Sequence, residues 1–286
     1  MSGTWSPEDQ GPRLQISLAG WLRVVLRGVV VLAVVLGGLV LLLAVRLIER
    51  PICGLNRPVT PYITQAVCKA ALAIVGVRLT VIGTHMRHNG AVVANHVSWL
   101  DIFTLNAAKR IYFVAKSEVA GWPLIGWLAR ATGTVFIARR QLDAKIHLDI
   151  FADRLNSGHK LLFFPEGTST DGLQVLPFKS TLFQAFFAQN LRDTVHIQPV
   201  TVKYTAPAGE EARFFGWWGD MALAPHLLKT LAGAKSGSVK VIYHTPVAVA
   251  NFKDRKALAL YCETVVRAGL VSGAQLSEES LPALMA

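Results

Sequence analysis

The feature that most constrains this chain is an uncharged run of eighteen residues, numbers 28–45, built only from Gly, Ala, Val and Leu. Arg23 and Arg27 precede the run, and Arg46 and Arg50 follow it, so that their guanidinium groups can reach two membrane interfaces. Eighteen residues meet the lower limit for a bilayer-spanning helix, which needs about 17–25. A cleaved signal peptide is disfavoured because the run starts late and has Arg directly behind it. We therefore predict a membrane anchor helix; a buried hairpin helix is the alternative.

The composition agrees with a membrane-bound protein. Hydrophobic residues make up 52% of the chain and charged residues 16%, against about 25% charged in soluble domains. The formal net charge of +11 suits an anionic membrane surface or a phosphorylated substrate. Nucleic acid is disfavoured as a partner because the Lys and Arg residues are scattered and no recognition motif accompanies them. The three widely spaced cysteines predict neither a disulfide framework nor a metal site.

From about residue 78 the pattern changes to short apolar runs that alternate with amphipathic segments. Runs rich in Val, Ile and Phe are typical of buried strands, and seven occur: 78–83, 91–95, 111–115, 134–138, 160–164, 196–203 and 239–244. Residues 142–155 carry apolar side chains on one helical stripe. Near the C-terminus, Asn251 is expected to cap a helix with Asp254 in its first turn, and Gly269 to end it.

These elements predict an α/β fold: a mostly buried mixed β-sheet of about seven strands flanked by helices, preceded by a membrane helix and a second amphipathic helix. The expected domains follow the chain in order. They are an N-terminal tail (1–21), the anchor helix (22–47), a linker with an amphipathic interfacial helix (48–77), the main α/β domain (78–270) and a C-terminal tail (271–286).

The strongest chemical signal is N-H-V-S-W-L-D, residues 95–101, directly after a predicted strand. Five helical steps turn about 500°, so His96 and Asp101 can meet only if His96 lies before the helix that contains Asp101. Either Ser98 or His96 is then expected at the helix cap. The positive end of the helix dipole disfavours a protonated imidazole, and a carboxylate bonded to one ring nitrogen fixes the tautomer. The pair is therefore suited to act as a general base toward a hydroxyl.

A second signal is F-F-P-E-G-T-S-T, residues 163–170, again at the end of an apolar run. Gly167 permits an unusual backbone angle, and Thr168 with the neighbouring amides can bind an anion. Glu166 has two open roles, to bind substrate hydroxyls or to fix the loop through hydrogen bonds.

Two further segments follow strand patterns. In G-T-V-F-I-A-R-R, residues 133–140, a buried strand delivers two guanidinium groups that suit phosphate. In H-I-Q-P-V-T-V-K, residues 196–203, Pro199 indicates an edge, a bulge or a strand start.

Together, N-H-V-S-W-L-D, F-I-A-R, F-P-E-G-T and Q-P-V-T-V resemble the four ordered blocks of the glycerolipid acyltransferase family, which includes the lysophosphatidic acid acyltransferases. The likeness covers about residues 75–250, and 114–126 and 177–180 share it. Two positions depart from the usual blocks. Ala138 stands where Asp is frequent, and Ser169 where Arg is frequent, which removes a cation expected for a phosphomonoester acceptor. Residues 164–172 and 214–221 resemble the bacterial branch that acylates lyso-ornithine lipid.

The resemblance implies roles for single residues. His96 is implied as the catalytic base and Asp101 as its partner, and Pro199 is implied to shape the core near the site. The remaining implied residues bind the acceptor head group, its phosphate or the acyl carrier: Arg139, Glu166, Gly167, Thr168, Lys116 and Lys179.

The implied reaction moves a fatty acyl group from acyl-CoA or acyl carrier protein to the free hydroxyl of a lysolipid, either lyso-ornithine lipid or 1-acylglycerol-3-phosphate. The implied partners are the lysolipid, the acyl thioester and the bilayer, with no further cofactor and no metal. The implied location is the bacterial inner membrane, with the catalytic domain at the cytoplasmic face. A membrane-tethered thioesterase or hydrolase that activates water with the same pair, and a non-catalytic lipid-binding protein, are the rival functions.

Overall fold

The computed structural model describes residues 15–137, 144–188 and 191–276. Seven α-helices lie within these ranges: α1 (Leu18–Cys53), α2 (Thr60–Val75), α3 (Leu100–Ala108), α4 (Ile125–Thr132), α5 (Ala144–Asn156), α6 (Leu223–Ala232) and α7 (Arg255–Ser272). Eight strands lie in the same ranges: β1 (Val77–Ile82), β2 (Gly90–Ala94), β3 (Tyr112–Lys116), β4 (Val135–Ile137), β5 (Leu161–Phe163), β6 (His196–Thr205), β7 (Gly237–Tyr243) and β8 (Val247–Ala248).

The strands form one mixed sheet in the order β1-β7-β6-β2-β5-β3-β4, with β8 paired to β6. Strands β2 to β6 run parallel to one another, whereas β1, β7 and β8 run in the opposite direction. This arrangement confirms the predicted α/β fold. The seven predicted strands are present within two residues of their predicted bounds, and residue 138 lies outside the described residues. The two-residue strand β8 was not predicted because it is too short to carry a pattern.

The predicted ends of the last helix are wrong. Asn251 lies in a 3-10 segment, and Asp254 instead caps α7 by accepting hydrogen bonds from the amides of Lys256 (2.8 Å) and Ala257 (2.9 Å). Gly273, with φ of 67°, ends the helix. Gly269 lies inside α7, where a Cβ atom would stand 2.5 Å from Oγ1 of Thr201. Its lack of a side chain therefore serves close packing of α7 on the sheet rather than helix termination.

Pro199 lies inside β6, away from the strand start and the edge of the sheet. Residues 196 and 197 pair with β8, and pairing with β7 begins at Val200. Pro199 therefore stands where β6 changes its antiparallel partner, a position that tolerates a missing amide hydrogen.

Helix α1 is long and apolar enough to cross a membrane, judged by its length and composition. Its 36 residues correspond to about 54 Å at 1.5 Å per residue. The helix also contacts the α/β domain. Nε of Arg23 donates to the carbonyl of Ala232 at 2.8 Å, and Arg27 donates to the carbonyl of Gly233 at 2.7 Å. The first half of α1 is therefore fixed against the end of α6.

The two faces of the sheet are covered by different helices. Side chains of α1, α2, α3 and α6 pack on one face, and those of α5, α7 and the 3-10 segment Ser180–Phe187 pack on the other. The carboxyl ends of β2, β3 and β5 meet at one edge of the sheet. In open α/β sheets this edge is where ligands bind.

Candidate active site

His96 and Asp101 form a direct pair at this edge. His96 follows β2, and Asp101 lies in the first turn of α3. Nδ1 of the imidazole lies 2.7 Å from Oδ2 of the carboxylate. The His96 side chain is 20% exposed and that of Asp101 is fully buried. The contact expected from the sequence is present, with the ring accessible and its partner carboxylate shielded from water.

The expected cap of α3 is wrong. Neither Ser98 nor His96 takes the cap position, which belongs to Trp99 and has no side-chain hydrogen bond. Instead, Oδ2 of Asp101 accepts the amides of Val97 (2.7 Å) and Ser98 (3.0 Å). The carboxylate in the first turn thus satisfies the unpaired donors of the preceding loop, which fixes the loop that carries the imidazole.

Tyr204 completes the environment of the carboxylate. Its hydroxyl donates to Oδ1 of Asp101 at 2.9 Å and lies 2.9 Å from Oγ1 of Thr104. Burial and the charge of Asp101 raise the pKa of Tyr204 well above its ordinary value, which keeps the hydroxyl protonated as a donor. The sequence carries no local signal for this role, because Tyr204 lies 103 positions away from Asp101.

The orientation of the imidazole follows from these bonds. Since Oδ2 of Asp101 also accepts two amides, Nδ1 of His96 is assigned as the donor to the carboxylate and Nε2 as the acceptor. The ring stacks on Phe164, with centroids 4.0 Å apart and 12° between the planes. The arrangement suits Nε2 to take a proton from a bound hydroxyl.

Glu166 has the loop-fixing contacts that the sequence left open as one of its two roles. It is 2% exposed. One carboxylate oxygen accepts the amide of His96 and the other that of Leu176, both at 2.7 Å. Burial raises the pKa of Glu166 to about 8, while the two amides act in the opposite direction. Glu166 therefore connects the backbone of the His96 loop (residues 95–98) to the segment after β5.

The bend after Glu166 gathers two cations. Gly167 has φ of 74°, and Nζ of Lys116 donates to its carbonyl at 3.0 Å. A Cβ atom at Gly167 would stand 2.6 Å from Nζ of Lys179. Thr168 is exposed on the same bend. The structure thus brings Lys116, Gly167, Thr168 and Lys179 together beside the His96 loop, as a cationic rim that suits an anionic group.

A third segment, residues 213–221, contacts both loops. The amide of Trp217 donates to the carbonyl of Val97 at 2.9 Å, and the hydroxyl of Ser169 donates to the carbonyl of Trp217. A Cβ atom at Gly216 would stand 2.6 Å from the carbonyl oxygen of Asp171. No local sequence signal announces these contacts, because their partners lie far apart in the chain.

Arg139, implied as a head-group ligand, lies outside the described residues. Within the described ranges, no group of three or more His, Cys, Asp or Glu side chains is placed to hold a metal ion. The described site offers an imidazole suited to proton transfer, beside a cationic rim.

Comparisons with known proteins identify a family model, relatives and a solved structure that are similar to this chain. Residues 78–203 match the acyltransferase family model. The chain is 56% identical over 266 residues to the lyso-ornithine lipid O-acyltransferase of Rhodobacter capsulatus, covering 93% of this chain and 96% of that protein. It is 33% identical over 215 residues to the 1-acyl-sn-glycerol-3-phosphate acyltransferase of Neisseria gonorrhoeae, covering 74% and 82%. The crystal structure of the 1-acyl-sn-glycerophosphate acyltransferase PlsC from Thermotoga maritima matches with a TM-score of 0.56 and 22% identity, over 88% of this chain and the whole of that chain, which supports the fold.

Proposed function

This chain belongs to the acyltransferase family and is a lysolipid acyltransferase, and we propose that its acceptor is lyso-ornithine lipid and its donor a fatty acyl thioester of coenzyme A or acyl carrier protein. The observation that carries the catalytic part is the 2.7 Å contact between Nδ1 of His96 and Oδ2 of a fully buried Asp101. The acceptor is supported by the name of the Rhodobacter capsulatus relative and by Ser169, which stands where a cation is frequent in relatives that take a phosphomonoester.

In the proposed reaction, Nε2 of His96 takes the proton of the acceptor hydroxyl as its oxygen attacks the thioester carbonyl carbon. The carbon–sulfur bond then breaks, and the proton passes from the imidazolium to the departing thiolate. The buried carboxylate of Asp101 stabilises the imidazolium between these two steps. Glu166 positions His96 through its amide rather than touching the reacting atoms.

The cationic rim has a separate proposed role. Lys116 and Lys179, which meet at Gly167, bind the anionic part of the acceptor or of the acyl carrier. Membrane association through α1 brings this rim to the surface where lysolipids lie. We place the enzyme at the bacterial inner membrane with the sheet edge on the cytoplasmic side, where acyl thioesters are made.

The test supplies purified full-length protein with a labelled acyl thioester, in separate reactions for the two donor types, while lyso-ornithine lipid and lysophosphatidic acid compete as acceptors. We expect ester product mainly on lyso-ornithine lipid. The variant His96→Ala should lose the product, and the matched control His88→Ala, an exposed histidine at the opposite edge of the sheet, should retain it. Product on lysophosphatidic acid alone would contradict the acceptor, and free fatty acid formed without an acceptor would indicate a hydrolase.

A further inference from the structure

A cleft of about 570 Å³ lies between the end of α1, the segment that joins α1 to α2, and α4. Part of its wall is apolar and part is basic. The apolar side chains are Leu39, Leu43, Leu55, Trp127 and Ala131, and the basic ones are Arg46, Arg50, Arg57 and Arg130. Four guanidinium groups around one small cleft favour an anion as its occupant.

Within the described part of the chain, the carboxylate of Glu49 beside this cleft neutralises only part of the positive charge. Glu49 is 5% exposed, and its carboxylate accepts the hydroxyl of Thr60 at 2.7 Å, the amide of Val59 at 2.7 Å and one nitrogen of Arg46 at 3.1 Å. One carboxylate that joins α1 to α2 thus stands against four guanidinium groups. The cleft retains an excess of positive charge.

The other three arginines contact carbonyl groups or solvent. Arg57 donates to the carbonyl of Ala131 at 2.7 Å, and Arg130 donates to that of Ala120 at 2.8 Å. Arg50 is exposed, and its guanidinium group makes no hydrogen bond or ion pair with another described residue. Burial lowers the pKa of Arg57, and the charges of Arg46 and Arg50 lower it further, whereas Glu49 acts in the opposite direction. Like charges that repel one another are stabilised by a shared anion.

The cleft and the His96–Asp101 pair lie at opposite ends of the parallel strands. A Cβ atom at Gly133 would stand 3.0 Å from Cζ of Arg57 and 3.1 Å from the ring of Tyr112. Tyr112 begins β3, so the cleft lies at the amino edge of the parallel strands, whereas His96 follows the carboxyl end of β2. An anion bound here is therefore distinct from the acceptor that reacts.

We propose that this cleft binds the phosphate of an anionic membrane phospholipid, with its acyl chains against Leu39 and Leu43. Guanidinium groups bind phosphate oxygens in pairs, and the apolar residues belong to the helix that is apolar enough to cross a membrane. Basic pockets at the ends of membrane helices are suited to anionic head groups. Trp127 is 67% exposed at the same wall, and indole rings favour the interface where head groups lie. The lipid fixes the depth at which α1 lies in the membrane.

The test uses full-length protein in detergent, titrated with phosphatidylglycerol that carries brominated acyl chains, or with phosphatidylcholine of the same chains. The readout is the part of tryptophan quenching that Trp127→Phe abolishes. The double variant Arg50→Gln/Arg130→Gln removes two cations and leaves Arg57 in place. The control Lys253→Gln/Lys256→Gln removes two charges near the start of α7.

We expect the affinity for phosphatidylglycerol to fall about tenfold in the arginine variant and to stay unchanged in the lysine control. Phosphatidylcholine should bind the unmodified chain more weakly than phosphatidylglycerol does, and its affinity should be the same for both variants. Equal binding of the two lipids, or no loss in the arginine variant, would overturn the proposal. Displacement of the lipid by inorganic phosphate at equal concentration would identify a site for the free ion and overturn it as well. Acyl transfer is measured separately and does not enter this readout.

Discussion

Replacing Asp101 with asparagine separates the charge of the carboxylate from its geometry. Oδ2 accepts Nδ1 of His96 at 2.7 Å together with two loop amides, and Oδ1 accepts the hydroxyl of Tyr204 at 2.9 Å. An asparagine can place its carbonyl oxygen where three donors converge. Its NH₂ group can then donate to Tyr204, whose own hydrogen turns to Oγ1 of Thr104, 2.9 Å away. The imidazole tautomer is kept, and only the negative charge is lost.

The expected loss of rate follows from that charge. Opposite unit charges about 4 Å apart attract by roughly 4 kcal/mol at an effective dielectric constant of about 20. This attraction stabilises the imidazolium only while His96 carries the proton, so its loss raises the barrier and lowers kcat about a thousandfold. The free energy of unfolding should change by less than about 1 kcal/mol, because each donor keeps an acceptor. The Asp101→Ala variant instead leaves those donors unpaired and should lose about 3 kcal/mol or more.

The assay measures initial rates of ester formation with a labelled acyl thioester at saturating acceptor, beside thermal unfolding of each variant. We expect Asp101→Asn to fold like the unmodified chain, with KM for the acceptor nearly unchanged and kcat strongly reduced. A folded Asp101→Asn protein with kcat within tenfold of the unmodified chain would refute the reasoning, because the carboxylate charge would then have no part in the rate.

Three further predictions concern neighbouring residues. Tyr204→Phe removes a donor from the buried Oδ1 of Asp101 and should lower the free energy of unfolding by about 2 kcal/mol together with kcat, whereas a mere packing role would leave both nearly unchanged. Burial raises the pKa of Glu166 from 4.5 to about 8, so the protonated side chain contributes fully to stability below pH 4.5 and this contribution is lost as the pH rises toward 8. The free energy of unfolding of the unmodified chain should therefore fall between pH 4.5 and pH 8, and that of Glu166→Gln should lack this decrease. Gly167→Ala places a Cβ atom 2.6 Å from Nζ of Lys179 at φ of 74°. The variant should lower the free energy of unfolding by about 1–2 kcal/mol and raise the KM for substrate. Unchanged steady-state kinetics would contradict a role for this bend in substrate binding.

The sheet could be predicted because buried strands are continuous apolar runs bounded by polar residues. The cap of α7 could not, since Asn251 and Asp254 are both good capping residues and the choice depends on tertiary contacts. Strand β8 and the 3-10 segment Val249–Asn251 come just before the helix. Asn251 is part of this 3-10 segment, so Asp254 is the residue that accepts the first unpaired amides of α7.

The candidate site was predictable where its contacts are local. His96 and Asp101 lie five positions apart, so helix geometry alone required the loop-and-first-turn arrangement. Tyr204 is 103 positions from Asp101 and lies in the mostly buried strand β6, so no local pattern distinguishes it from a core residue. Its role therefore depends on a contact between β6 and the first turn of α3 that exists only in the folded chain.

Hydrogen bonds between distant loops also connect the first and third of the four sequence blocks. The amide of His96 donates to Glu166 and its carbonyl accepts the amide of Thr170 at 2.9 Å, so the segment after β5 encloses the His96 loop. Trp217 connects Val97 to that same segment. Each loop thus depends on hydrogen-bond partners supplied by another, and none can hold the imidazole in place alone. A His–Asp spacing by itself arises easily by chance, whereas the first and third blocks are joined by hydrogen bonds that fix the loop carrying the imidazole.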